Sequence, residues 1–233
     1  MIRPPLCLAF TLIAAIAVTA AARPAPAGDR ERVRITRTDE AASKRFVLTR
    51  SDLGTATGWK GGFVKADIPL TTPCPGDLAF DPTESDVIVS GAAEADFKNT
   101  GIAFYSSAQV VQTVATARAA WRRWAVPGFL RCLRSSVDYN RPGFHAVSVT
   151  RLPFPAVGSF VAAYRTIYTV SSSAGTPGRY VEDLLLISSG RARISLTAIY
   201  PIASSDVAEE AAVVRGEIGL AQTLSRRATA GTA

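Results

Sequence analysis

The chain has 233 residues, 48% of them hydrophobic and 19% charged, with 26 Lys and Arg against 19 Asp and Glu, three Cys and a single His. A chain this apolar can offset the entropy of ordering, which excludes a disordered polymer, and three cysteines are too few for a disulfide-dense mini-protein. One imidazole cannot supply a polyhistidine metal site, so neither metal nor cofactor is expected. The formal charge of +7 and a sequence pI of about 9.7 raise nucleic acid as a partner.

The chain opens with Arg3, an apolar run over residues 6–18 and the small residues Thr19, Ala20, Ala21 and Ala22, the order of a secretory signal peptide. The run is shorter than the roughly 20 apolar residues of a spanning helix. Residues 1–22 are read as a signal peptide of an exported protein, with an uncleaved anchor as the alternative, and the mature chain has no further transmembrane span. Cleavage removes Cys7 and leaves Cys74 and Cys132, an even pair in an oxidising compartment, expected to form one disulfide. Residues 23–45, polar and carrying Pro24 and Pro26, are expected to be a flexible lead-in. A single domain follows over residues 46–226, with a disordered tail at 227–233.

Within that domain, residues 87–97 and 102–107 flank Asn99, Thr100 and Gly101, a hairpin signature. Val110, Val114, Ala117, Trp121 and Trp124 recur at spacings of four and three, predicting a helix over residues 108–124. Pro127 and Gly128 break it, and Phe129, Leu130 and Leu133 begin a second short helical turn carrying Cys132. The period then switches to two, predicting strands over residues 144–149, 160–170, 180–187 and 191–200. The intervals are too short for a crossover helix, so these four strands form an antiparallel meander. Ser204, Ser205 and Asp206 before Glu209 and Glu210 mark the start of a last helix reaching about Leu224. The expected fold is α+β: an antiparallel β-sheet of five to seven strands with a C-terminal four-stranded meander, covered mainly on one face by helices.

The charge is segregated. Residues 67–97 hold seven acidic side chains and no basic one, whereas residues 98–205 hold twelve basic and three acidic ones. The arginines are scattered over strands and helices without the dense basic stripe and aromatic interleaving of a nucleic-acid surface. No nucleic-acid partner is expected; a solvated surface or an anionic envelope component fits the pattern better.

His145 alternates with apolar residues on a strand, and any Ser-His arrangement must use it, with Ser148 or Ser159 as nucleophile. Gly158-Ser159-Phe160 lacks the second glycine of a nucleophile elbow. Asp77, Asp81 and Asp86 do not have calcium-loop spacing. No catalytic residue is assigned. Phe160, Tyr164 and Tyr168 share one strand face, with Phe144 on a neighbour, and they either pack the core under Trp121 and Trp124 or line an apolar pocket between sheet and helix. In the pocket reading Arg122 or Arg165 pairs an anionic group on the ligand.

The segment Leu48-Thr49-Arg50-Ser51-Asp52-Leu53-Gly54 leading to Gly58-Trp59 is similar to the opening of many small exported actinobacterial proteins. Together with Tyr105-Ser106-Ser107-Ala108, the Trp121 helix and Cys132, it resembles the extracellular sensor domain of mycobacterial-type receptor Ser/Thr kinases. That resemblance spans residues 46–200 in order of elements. It implies a sheet and helices around a cleft, disulfides bracing the helices, and ligand binding without catalysis; no kinase is attached here, and no ligand residue carries over. The expected function is thus an exported, monomeric, non-enzymatic sensor-like domain holding a small amphipathic, anionic or lipid-like ligand or an envelope component. The alternatives are an exported hydrolase using His145 and a surface interaction module with no small ligand.

Overall fold

The computed structural model describes residues 33–68, 87–140, 143–172, 175–202 and 207–231. The expected signal peptide, Cys7, Cys74 and the Asp77, Asp81 and Asp86 positions lie outside them. Seven strands form one sheet: β1 (Lys60–Val64), β2 (Val89–Asn99), β3 (Ile102–Val111), β4 (Phe144–Leu152), β5 (Phe160–Ser172), β6 (Gly175–Ser189) and β7 (Ala192–Pro201). Their order is β1-β2-β3-β7-β6-β5-β4, and every neighbouring pair is antiparallel. Among the described residues four α-helices accompany it: α1 (Arg37–Arg45), α2 (Val114–Trp124), α3 (Gly128–Asn140) and α4 (Val207–Gly231).

This is the expected α+β class with its C-terminal meander. From β3, α2 and α3 carry the chain to the far edge at β4, and the meander returns until β7 pairs with β3. The β2–β3 hairpin turns at Thr100 and Gly101, where Gly101 has φ +79°, a conformation that only glycine adopts without steric cost.

The two sheet faces follow from the period of two. Phe104, Ala108, Leu185, Ile194 and Leu196 point to one side, where they bury against Ala42 and Phe46 beside α1 and against Ala221, Leu224 and Ala228 of α4. Tyr164, Ala162, Leu184 and Leu186 point to the other, against Trp121, Trp124, Phe129 and Leu133 of α2 and α3. The helices therefore divide between both faces rather than lying mainly on one. The reason is that β6 is apolar at odd and even positions alike, Leu185 and Ile187 turning to one face and Leu184 and Leu186 to the other, so each face needs a cover.

Several boundaries differ from the sequence reading; the short turn expected after Pro127 and Gly128 is the 13-residue α3, and β6 begins at Gly175 rather than near Tyr180. The helix expected from residue 108 begins at Val114; residues 108–111 belong to β3, because pairing with both β2 and β7 outweighs a helical period that includes Val110. Thr113 caps the helix, its Oγ1 accepting from the Thr116 N–H at 3.0 Å. Order also begins inside the supposed lead-in. Thr36 Oγ1 accepts from Asp39 N–H, Asp39 and Glu40 occupy the first turn of α1, and Lys44 and Arg45 occupy the last. This helix lies so close to β2 that a methyl group on Gly91 would stand 2.2 Å from the Asp39 carbonyl oxygen. At the other end, α4 runs through Gly231, into the expected tail. Its Arg227 pairs with Asp52, which also accepts from the Thr49 N–H at 2.8 Å, so the Asp of the opening motif fastens a turn to the last helix.

Candidate functional site

Between the sheet and the α2–α3 pair lies a cavity of about 290 Å³. The helices contribute Trp121, Trp124, Phe129 and Leu133; β6 contributes Leu184 and Leu186. The polar part of the wall comes from the sheet, with Ser107 and Gln109 on β3 and Arg193 and Ser195 on β7. The register brings these together, since Ser107 faces Ser195 and Gln109 faces Arg193 across the β3–β7 pair. The two serine hydroxyls satisfy one another at 2.8 Å. Gln109 Oε1 and Trp121 Nε1 are buried without a hydrogen-bond partner.

The aromatic residues singled out in the sequence do share this face, on β5 beside β6, but they do not line the cavity. Phe160 stacks on Trp121 with ring centroids 5.0 Å apart, and the Arg118 guanidinium lies 5.6 Å from the Phe160 centroid. Tyr164, 2% exposed, meets Phe129 edge-on at 5.0 Å and donates its hydroxyl to the Trp124 carbonyl at 3.0 Å. Burial raises its pKa, so the phenol stays a donor. Phe160 and Tyr164 thus position wall residues and do not form the wall. Tyr168 lies further along β5, packed between Phe144 and Tyr180 at 5.4 and 5.9 Å.

The two arginines separate. Arg122 is exposed on α2. Arg165 is on the opposite face of the sheet, where it pairs with Asp183 and with Glu210 of α4 and donates to the Tyr200 hydroxyl at 2.9 Å. Tyr200 in turn donates to Asp183 Oδ2 at 3.1 Å. Glu217 of α4 is wholly buried, and neither of its oxygens has a partner. Burial, and after it the adjacent Asp183 carboxylate, pushes the Glu217 pKa up to about 9, so the side chain is a neutral acid at pH 7.

His145 is exposed on β4 and pairs in register with Thr169, near one end of β5, while Ser159 precedes the other end. Nine strand residues between those levels correspond to roughly 30 Å. Ser148 shares His145's side of the sheet only because a bulge at Val147 shifts the register. Among the described residues no hydrogen bond links His145 to Ser148 or Ser159. The bulge is braced by α3: Asp138 Oδ1 accepts from the Ala146 N–H at 2.8 Å, and Arg134 donates to the Val147 carbonyl at 3.2 Å.

Sequence reasoning missed Ser107, Gln109, Leu184, Leu186, Arg193 and Ser195. The alternation of polar Ser107 and Gln109 with buried Ala108 and Val110, and of Arg193 and Ser195 with Ile194 and Leu196, was the available signal. It marks a second strand face without saying which strands bring such faces together.

No family model and no curated protein matches the chain. Among solved structures it is similar to the extracellular domain of PknH from Mycobacterium tuberculosis, with 11% identity and a TM-score of 0.42 over 82% of this chain and 96% of that one. It is also similar to an uncharacterized protein of Mycobacterium smegmatis, the Rv0999 ortholog, with 12% identity and a TM-score of 0.38 over 83% of this chain and 97% of that one.

Proposed function

We propose that this protein is an exported, non-enzymatic, sensor-like domain that holds a small amphipathic molecule, such as an envelope component, in the cavity between α2–α3 and the sheet. The observation that carries this reading is the cavity wall itself, apolar on the helix side and along β6, with polar side chains gathered from β3 and β7. Phe160 and Tyr164 hold Trp121 and Phe129 in place, which gives the aromatic strand face a role in shaping the site. A hydrolase reading has less support: the one histidine and Ser159 stand at opposite ends of a strand, and Ser148 makes no bond to it. Export, and a Cys74–Cys132 disulfide bracing α3, belong to the same proposal.

Trp121 and Trp124 line the cavity, so their fluorescence is the natural reporter. Saturable change of the indole emission on adding an amphiphile, together with a co-purifying small molecule in native mass spectrometry of protein from its own host, is the expected result. Linear, unsaturable quenching and a bare-chain mass would overturn the reading.

A further inference from the structure

We infer that the ligand carries an uncharged head group that both donates and accepts hydrogen bonds, a hydroxyl or a primary amide on an apolar body, and that Gln109 and Trp121 recognise it. This rests on the cavity being the ligand site. The starting point is that two residues of one wall, reaching it from β3 and from α2, each bury a polar atom with no partner. Buried polar atoms in folded proteins are otherwise paired, because an unmade hydrogen bond leaves the desolvation penalty standing.

The two atoms are complementary in kind. Gln109 Oε1 only accepts, and the indole Nε1–H of Trp121 only donates. With Gln109 oriented as in the structure, a carboxylate could accept from Trp121 but would set a second acceptor against Gln109 Oε1. An ammonium would fail in the opposite sense. A hydroxyl or amide satisfies both. Ser107 and Ser195 bond each other and so make no competing demand, and the anionic arm of the test below reads whether the Arg193 guanidinium of the wall does. The volume of 290 Å³ admits about ten non-hydrogen groups at roughly 30 Å³ each, so the body is short or only partly enclosed.

The test is calorimetric titration of the purified protein at pH 8 with 1-octanol, its methyl ether and octanoate. The ether accepts but does not donate, and octanoate is anionic at that pH. The alcohol is expected to bind about tenfold more tightly than either. Gln109→Leu should remove the alcohol's advantage over the ether, and Trp121→Phe should weaken both. Equal affinity for alcohol and ether, the result if a bridging water satisfies both atoms, overturns the head-group assignment while leaving the cavity reading intact, as does tightest binding of octanoate. Binding of none of the three overturns the cavity reading and this inference with it. If a variant does not fold, the order of the three ligands on the unaltered protein decides.

Discussion

Arg165 and Asp183 meet across β5 and β6 as a two-pronged ion pair, Nε to Oδ1 at 2.7 Å and Nη2 to Oδ2 at 2.6 Å. Asp183 is wholly buried, and the pair lies on the α4 face, with the sheet between it and the cavity. Through Glu210 and Tyr200 the same guanidinium ties β5, β6, β7 and α4 together.

Removing the cation should therefore cost stability and leave ligand affinity untouched. Arg165→Met strands the Asp183 carboxylate, and a loss of about 3–5 kcal/mol is expected in urea denaturation. Arg165→Lys should recover little of it, because an ammonium cannot reproduce the fork. A loss below about 1 kcal/mol would show that the pair adds no more than a surface bridge.

Glu217 makes stability depend on pH. Its folded pKa is raised from the ordinary 4.5 to about 9, with Asp183, Arg165, Tyr200 and Glu210 as the charged or titratable groups of the cluster around it. Between those values the folded chain holds a proton that the unfolded chain has lost, so this contribution is complete below about pH 4.5 and is lost as pH rises past about 9. The slope approaches about 1.4 kcal/mol per pH unit. Asp39 and Asp52 act in the opposite sense. Arg191 holds the Asp39 pKa down; at Asp52 burial raises it, but hydrogen bonds from Arg227 and Thr49 outweigh burial. Their contribution disappears as pH falls through the acid range. Thermal midpoints should peak in weak acid and decline toward pH 9, and Glu217→Gln should flatten the decline; a profile rising from pH 5 to 9 would refute this assignment.

Tyr164 separates packing from its hydrogen bond. Tyr164→Ala removes the ring under Phe129 and should cost about 3–5 kcal/mol, whereas Tyr164→Phe keeps the ring, leaves the Trp124 carbonyl without its donor, and should cost about 1–3 kcal/mol. Equal losses in denaturant for the two variants would contradict the placement of the ring.

Cys132 is buried beside Phe129, Ala162 and Tyr164. If it pairs with Cys74 as proposed, closing that loop stabilises the fold by about 4 kcal/mol in the chain-entropy treatment. Thiol labelling of the unreduced, denatured mature chain should then find no reactive cysteine, and two labelled thiols would refute the bridge.

Element types were legible wherever a single period ran long enough. The alternation over residues 191–200 and the hairpin signal at Asn99, Thr100 and Gly101 led directly to β7 and to the β2–β3 turn. The shared face of Phe160, Tyr164 and Tyr168 was legible too, because side chains on a strand point alternately whatever lies beside them. Two things were not. Residues 108–111 fit a helical period and became strand only because β2 and β7 lie on either side, and α1 was hidden in a polar segment whose caps mean little until Gly91 lets the helix approach. The site shows the same division. By itself the sequence determined the α+β class, the meander and the aromatic stripe, all of which depend on local periodicity. Only the tertiary structure decided that Gln109, Trp121 and Leu186 share a cavity while Arg165 turns away from it. That depends on which strand pairs with which, and the β3–β7 pairing joins residues some ninety positions apart through long-range hydrogen bonds and burial that no local window contains.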